Sequence, residues 1–424
     1  VTGIYNKPKE TQLEAFTRAL NFYFQLNLKV QTSWFDAFDI LKRSLANQKD
    51  KSKKSVIFFD ELPWLDTQKS DFLPAFEWFW NDWGCAQNNL VCIVCGSATS
   101  WMVDNIDHNK GGLFNRQNSR IYLEPFNLNE TREFLLTKNI DWSPYDIAEC
   151  YMVMGGIPYY LSMMDKSKSL AQNIDLLFFG RNAKLESEFT RLFASLFINP
   201  DDYMKVVKLL AQRHTGYTRD EIASKLGISS GGSFTRMLET LVASDFVSSY
   251  HPFGSNQKEL RYKLTDSFCQ FHLRFIEGQH ITDESFWQHH QNMAQLNSWR
   301  GLAFEQICFS HVYKVKKALG VEGVYSEESP WIVRGDNDRR GAQIDMLIMR
   351  DDRVVNLCEM KFLSKEYELK ADDELALRGK IAILQENLSI KHTVHLTLVT
   401  TMGLKHNAHS GLFQKVVTLA DLFA

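Results

Sequence analysis

The chain has 424 residues, too many for a single hydrophobic core, so its length calls for about two to four domains. With 44% hydrophobic and 23% charged residues it has the composition of an ordinary globular protein, not a disordered or fibrous one. A net charge of −3 leaves no global basic field, so any contact with DNA has to come from a local patch.

From Val1 to about Pro125, helical periodicity alternates with short apolar runs. Leu13, Phe16, Leu20 and Phe24 fall at helical spacing within Lys9 to Phe24, and Phe35, Phe38, Leu41 and Leu45 repeat the pattern from Ser33 to Leu45. Val56-Ile-Phe-Phe is a continuous apolar run, which predicts a strand covered on both faces. A helix over about Ser70 to Trp83 follows, then a second apolar run, Leu90-Val-Cys-Ile-Val-Cys. Strand, helix, strand of this kind predicts a parallel sheet with right-handed crossovers and a nucleotide at the strands' carboxyl ends.

Residues 126–198 read as a helical lid interrupted by Gly155-Gly-Ile-Pro158, and residues 199–265 as a winged helix. In the latter, helices at Asp201 to Arg213 and Thr218 to Leu226, a turn at Gly227 to Gly232 and a helix at Ser233 to Ala243 lead into a two-stranded wing. A helical connector covers 266–292. Residues 293–424 read as a small α/β domain: a helix from Trp299 to Leu319, strands at Gln343 to Met349 and Val354 to Met360, a helix near Leu375 to Glu386 and a strand at Val394 to Thr400.

The seven cysteines, Cys85, Cys92, Cys95, Cys150, Cys269, Cys308 and Cys358, are odd in number and set in apolar surroundings, which suits free thiols in a reducing, cytoplasmic setting. Cys92-x-x-Cys95 has no second Cys/His pair near it and reads as buried strand cysteines, not a zinc site. No run of about 18 apolar residues occurs, so no membrane span is expected.

Two clusters carry chemistry. Asp60-Glu61 ends the first apolar strand, with Asp60 suited to the Mg²⁺ shell and Glu61 to orienting water toward a γ-phosphate. The plain alternative is a strand that ends in solvated acids. Ser97 follows the next strand, where it can sense the same phosphate, and Arg116 follows a flexible loop, suited to neutralising transition-state charge. These stretches, with Ile57-Phe-Phe-Asp-Glu-Leu-Pro-Trp, Cys95-Gly-Ser-Ala-Thr-Ser-Trp-Met, Gly112-Leu-Phe-Asn-Arg and Met154-Gly-Gly-Ile-Pro-Tyr-Tyr-Leu, resemble the archaeal-type ATPases of the AAA+/STAND group over nearly the whole chain. The resemblance implies ATP and Mg²⁺ as cofactors, Asp60 and Glu61 as the Walker B pair, Ser97 at the sensor position, and Gly156 and Pro158 against the nucleotide base. The chain departs from the family in one respect: Gly-x-x-x-x-Gly-Lys-Ser/Thr, whose backbone would cradle the phosphates, occurs nowhere in it. Val1-Thr-Gly also opens like the end of a strand already under way. The expectation is therefore a P-loop ATPase core, 1–125, truncated before its phosphate loop and inactive as an ATPase in this form. A complete pseudo-ATPase is the other reading.

The second cluster lies in 293–424. Asp345 and Glu359 on adjacent strands can converge on one divalent cation, Glu359 and Lys361 share a strand face by the period of two, and Glu305 on the preceding helix can complete the shell. The order of these residues and elements resembles the PD-(D/E)XK nuclease superfamily, which implies a restriction-endonuclease-like fold, metal ligands Glu305, Asp345 and Glu359, and Lys361 in catalysis. Three carboxylates converging near a lysine are electrostatically costly without a cation. The alternative is a fold-only relative with a salt-bridged cluster.

In the winged helix, Ser229, Ser230, Ser233 and Thr235 can bond phosphates and Arg236 can reach a phosphate or base edge, but Glu239 follows and winged helices also serve as protein-contact modules. The expected whole is an α/β multi-domain ATPase coupled to a DNA-binding or nuclease module. The competing expectation is a nucleotide-dependent scaffold that binds a protein partner or a second copy of itself.

Overall fold

The computed structural model describes residues 1–48, 52–97, 99–107, 111–197, 199–253, 259–279, 281–333, 335, 341–387 and 392–424. It is an α/β chain with one parallel, one antiparallel and one mixed sheet, in two compact units: Val1–Leu123 forms the bulk of the first, and Glu124–Ser195 with Asn199–Ala424 the second.

In the first unit, helix Lys9–Phe24 buries Leu13, Phe16 and Leu20. Helix Trp34–Ala46, whose N-cap Ser33 hydroxyl accepts the Phe35 N–H, buries Trp34, Phe38 and Leu41. Strands β1 (Ser55–Phe59) and β2 (Leu90–Val94) pair in parallel, Ser55 opposite Leu90 and Phe59 opposite Val94. Val1 to Gly3 runs along the other edge of β1, where the Asp60 N–H donates to Val1 and the Asp60 carbonyl accepts from Gly3, both at 2.8 Å. Helix Phe72–Asp82 joins β1 to β2.

The centre of this unit is Phe38. The rings of Phe16, Trp34, Phe59, Phe72, Phe76 and Phe79 have their centroids 5.3 to 6.1 Å from it, the range of offset and edge-to-face aromatic pairs.

Among the described residues only one face of the parallel sheet is covered, which corrects the expectation of burial on both. Ile57 and Phe59 face the helices, while Val56 (61% exposed), Phe58 (46%), Val91 (37%) and Ile93 (45%) lie on the other face. The reason is topological. The chain steps from Val1–Gly3 to β1 to β2 in one direction across the sheet, and right-handed crossovers then put every connecting helix on the same side.

In the second unit, helix Leu128–Thr137 begins with a capping box formed by Asn127 and Glu130, and helix Pro144–Met154 follows. Helices Pro200–Leu210, Arg219–Leu226 and Gly232–Ala243 pack with an antiparallel sheet of three strands, not two: β3 (Tyr217–Thr218), β5 (Arg261–Leu264) and β4 (Val247–Tyr250), in that order. A two-residue strand leaves no alternation to read, so β3 is invisible in the sequence.

The helix expected from Trp299 to Leu319 is two, Ala294–Ser310 and Val312–Leu319, broken at His311. His311 is buried, its Nδ1 donates to the Ile307 carbonyl at 2.9 Å, and its Nε2 accepts the Leu128 N–H at 3.0 Å. The break thus satisfies one of the orphan amides at the start of helix Leu128–Thr137.

The C-terminal sheet has the order β10-β9-β8-β7-β6, with β6 (Ser326–Val333), β7 (Ala342–Arg350) and β8 (Val354–Lys361) antiparallel, and β8, β9 (Thr393–Thr400) and β10 (Lys415–Thr418) parallel. Helix Ala371–Asn387 makes the crossover from β8 to β9 and contributes Leu377 and Leu384 to a core with Ile344, Leu347, Leu357, Leu396 and Leu398. The outer strands β6 and β10 were not expected. Ser326-Glu-Glu-Ser begins β6 without an apolar run, and β10 is short.

Phe38→Ala is expected to lower the unfolding free energy by about 3–5 kcal/mol, because six aromatic neighbours cannot collapse into the space it leaves. Urea denaturation followed by tryptophan fluorescence measures this. A second expectation concerns Lys263 on β5, a buried residue whose ammonium lies 4.2 Å from the centroid of Phe309. Burial pulls its pKa down to about 8, with Glu305 opposing. Between about pH 8 and the ordinary lysine value of 10.5 the unfolded chain holds a proton that the folded chain has lost, so this residue's contribution to stability rises with pH there. Lys263→Met is expected to raise Tm near pH 7 and to raise it less at pH 10.

Candidate functional site

The first cluster forms where β1 and β2 end. Asp60 and Glu61 are half-buried, and Glu61 takes a left-handed backbone (φ 50°) that turns the chain away from the strand direction. One Asp60 oxygen accepts the Cys95 thiol at 3.0 Å and the other the Thr2 hydroxyl at 3.2 Å. Glu61 Oε2 accepts both the backbone N–H and the hydroxyl of Ser97, at 3.2 and 2.9 Å. Burial, then the Asp60 carboxylate, push the Cys95 thiol up, so it stays a protonated donor. Gly96 lies so close to Pro63 that a Cβ there would come 2.4 Å from the proline ring, which explains the small residue between the two strand-end donors. The structure therefore brings Asp60, Glu61 and Ser97 together. Ala98, within the Cys95 to Met102 stretch, lies outside the described residues.

Arg116 is exposed at the end of a loop anchored by buried Leu113 and by Asn81, whose amide donates to the Gly112 carbonyl at 2.7 Å. Among the described residues no hydrogen bond or ion pair links its guanidinium to Asp60 or Glu61. Gly156 and Pro158 belong to the second unit. The Gly156 carbonyl accepts the Phe126 N–H at 2.8 Å, and a Cβ on Gly156 would stand 1.8 Å from the Phe126 oxygen, so packing alone demands glycine there. Pro158 opens the short helix Pro158–Leu161, where its missing N–H costs nothing.

The second cluster is built on β7, β8 and helix Ala371–Asn387. Asp345 on β7 reaches across to β8 and accepts the Met360 N–H at 2.8 Å. The Glu359 side chain is only 9% exposed, and each of its oxygens meets an ammonium: Oε1 meets Lys361 and Oε2 meets Lys380, both at 2.7 Å. Burial works to raise the Glu359 pKa, but the two lysines outweigh it and hold the carboxyl below its ordinary value. Among the described residues Asp345 hydrogen-bonds no ammonium, and burial followed by the facing Glu359 and Glu305 outweighs the Met360 N–H and the Lys380 charge and pushes it up to about 7. Lys361 is raised: its burial works downward, and Glu359 overcomes it.

Glu305, expected as the third ligand, acts electrostatically on Asp345 while its Oε2 lies 3.0 Å from His214 Nε2. Among the described residues no group of three or more His, Cys, Asp or Glu side chains is placed to hold a metal ion. Asp345 and Glu359 on their own still suit a hard cation such as Mg²⁺, which is commonly bound through one or two carboxylates and keeps several waters. The cost of burying Glu359 is met here by Lys361 and Lys380, and Glu305 makes a hydrogen-bond contact with His214. Lys380 was missed in the sequence because only the crossover helix, 21 residues downstream, carries it back to Glu359.

On helix Gly232–Ala243 and the turn before it, Ser229, Ser230, Ser233 and Arg236 are exposed, and so is Glu239. Thr235 is otherwise engaged: its hydroxyl accepts Arg219 Nε at 3.1 Å, and the same guanidinium grips the Ser230 carbonyl. Among the described residues no helix is long and apolar enough to cross a membrane.

No family model matches the chain, and no curated protein matches it. Among solved structures, a Walker-type ATPase of Pyrococcus abyssi is similar over 65% of this chain and 80% of its own, at 16% identity and a TM-score of 0.42. A protein of Vibrio cholerae is similar over 98% of this chain and 86% of its own, at 10% identity and a TM-score of 0.21. At such scores neither likeness decides the fold or carries a function across.

Proposed function

We propose that the chain carries the magnesium-and-water half of an AAA+/STAND-type P-loop ATPase (1–125), followed by a helical lid (126–198), a winged helix (199–265), a helical connector (266–292) and a nuclease-like domain (293–424). The observation that carries the nucleotide half is the meeting of Asp60, Glu61 and Ser97 at the carboxyl ends of two adjacent parallel strands. In this reading Asp60 holds Mg²⁺, Glu61 orients the attacking water, Ser97 fixes the Glu61 carboxylate, and Arg116 serves the transition-state charge of ATP. The phosphate-cradling motif is absent from the 424 residues, so hydrolysis by this polypeptide alone is not part of the proposal.

The C-terminal half of the reading rests on Asp345, Glu359 and Lys361. A divalent cation held by the two carboxylates would polarise a phosphodiester and its attacking water. Lys361 would then face the developing negative charge, Glu305 would act from the edge of the site, and Arg236 with Ser229, Ser230 and Ser233 would hold the DNA backbone. One observation favours the competing reading of a nucleotide-dependent scaffold with a protein partner: Glu359 is already neutralised by two lysines and needs no metal to be stable.

The ATPase reading is tested on the protein expressed from its complete open reading frame. Glu61→Gln is expected to cut ATP turnover by about 100-fold or more while ATP still binds, and unchanged turnover overturns the assignment. For the nuclease reading, plasmid nicking with Mn²⁺ is expected to vanish in Asp345→Ala. Nicking that survives in the variant belongs to another site, and a wild-type chain that binds no Mn²⁺ by calorimetry supports the scaffold.

A further inference from the structure

Resting on the metal-site reading of Asp345 and Glu359, we propose that Lys380 is a second phosphate-contacting residue, stored as a counter-ion of Glu359 until a divalent cation takes that carboxylate. Both Glu359 oxygens are engaged, Oε1 by Lys361 and Oε2 by Lys380, each at 2.7 Å. A cation bonded to either oxygen at about 2 Å would compete with the ammonium already there, because the like charges repel and the carboxylate's charge would be shared between them. Cation binding would therefore loosen the hold of Glu359 on at least one lysine.

The two ammoniums flank Glu359 from different elements. Lys361 comes from the same strand, two residues on, and Lys380 from the crossover helix Ala371–Asn387. Their side chains are 35% and 24% exposed, so both heads can swing on flexible stems without unpacking the core. An ammonium loosened from Glu359 would be placed to meet a phosphodiester that a cation at this site would attract. Its two non-bridging oxygens match two donors supplied by different elements, a strand and a helix. The metal and the phosphate would then be linked ligands, because each ammonium that Glu359 gives up would be available to the phosphate.

Linkage of this kind gives Lys380→Met effects of opposite sign on the two ligands. Mn²⁺ affinity, measured by calorimetry on the full chain, is expected to tighten by about 10-fold because a competitor for Glu359 is gone. Affinity for a short duplex DNA, measured by fluorescence anisotropy in non-cleaving Ca²⁺, is expected to weaken by about 10-fold. Lys380→Arg restores DNA affinity toward wild type, and circular dichroism with a thermal melt confirms that each variant is folded. Tighter Mn²⁺ binding with unchanged DNA affinity makes Lys380 a counter-ion only and overturns the proposal. Unchanged Mn²⁺ affinity overturns it too, while leaving the metal site standing. A wild-type chain that binds no Mn²⁺ brings down the metal-site reading itself, and this inference with it.

Discussion

A carboxylate placed among strands must find a counter-charge or a proton, and the C-terminal sheet is organised around that requirement at Glu359. The core that brings β8 into register with β7 and β9 also buries the residue, and hydration is lost in the process. Lys361 and Lys380 replace that hydration from two directions, so the ion-paired cluster is stable as it stands. Asp345, one strand over, meets the same burial with a single backbone N–H and a rising affinity for a proton. Two neighbouring carboxyls thus have opposite electrostatic fates, Glu359 held low and Asp345 pushed up.

The ring of contacts continues outward. Glu305 leans on His214, from the segment that leads into the three-stranded sheet, and Lys263 of that sheet lies over Phe309 on the same helix as Glu305. Within the second unit, the helix-and-sheet element of 199–265 therefore forms part of the wall around the carboxylates. It is not a separate bead on the chain. The buried Glu149–Arg300 pair, with Nη2 at 2.6 Å, ties helix Pro144–Met154 to the helix that bears Glu305. Removing either partner would leave an uncompensated charge in the core.

In the first unit the governing constraint is chirality. Right-handed crossovers between strands added in one direction place all helices on one face, and this gives both the dense aromatic core around Phe38 and the exposed row Val56, Phe58, Val91 and Ile93. The same parallel order brings Asp60, Glu61, Cys95 and Ser97 to one end of the sheet.

Much of this was written locally. Helical spacing marked Lys9–Phe24 to the residue, apolar runs marked β1 and β2, and the period of two put Glu359 and Lys361 on one face, because each of these depends on neighbours within a few residues. The sequence by itself also determined which groups could do chemistry, since carboxylates, lysines and serines are what they are wherever the chain takes them. Only the tertiary structure decided which of them meet. Lys380 joining Glu359, His214 claiming Glu305, His311 breaking a helix to cap another, Thr235 held by Arg219 and one bare sheet face all arise from elements far apart in the chain. The physical reason is the same in each case: burial and counter-charge are set by three-dimensional neighbours, and a sequence records those neighbours only through the packing that brings them together.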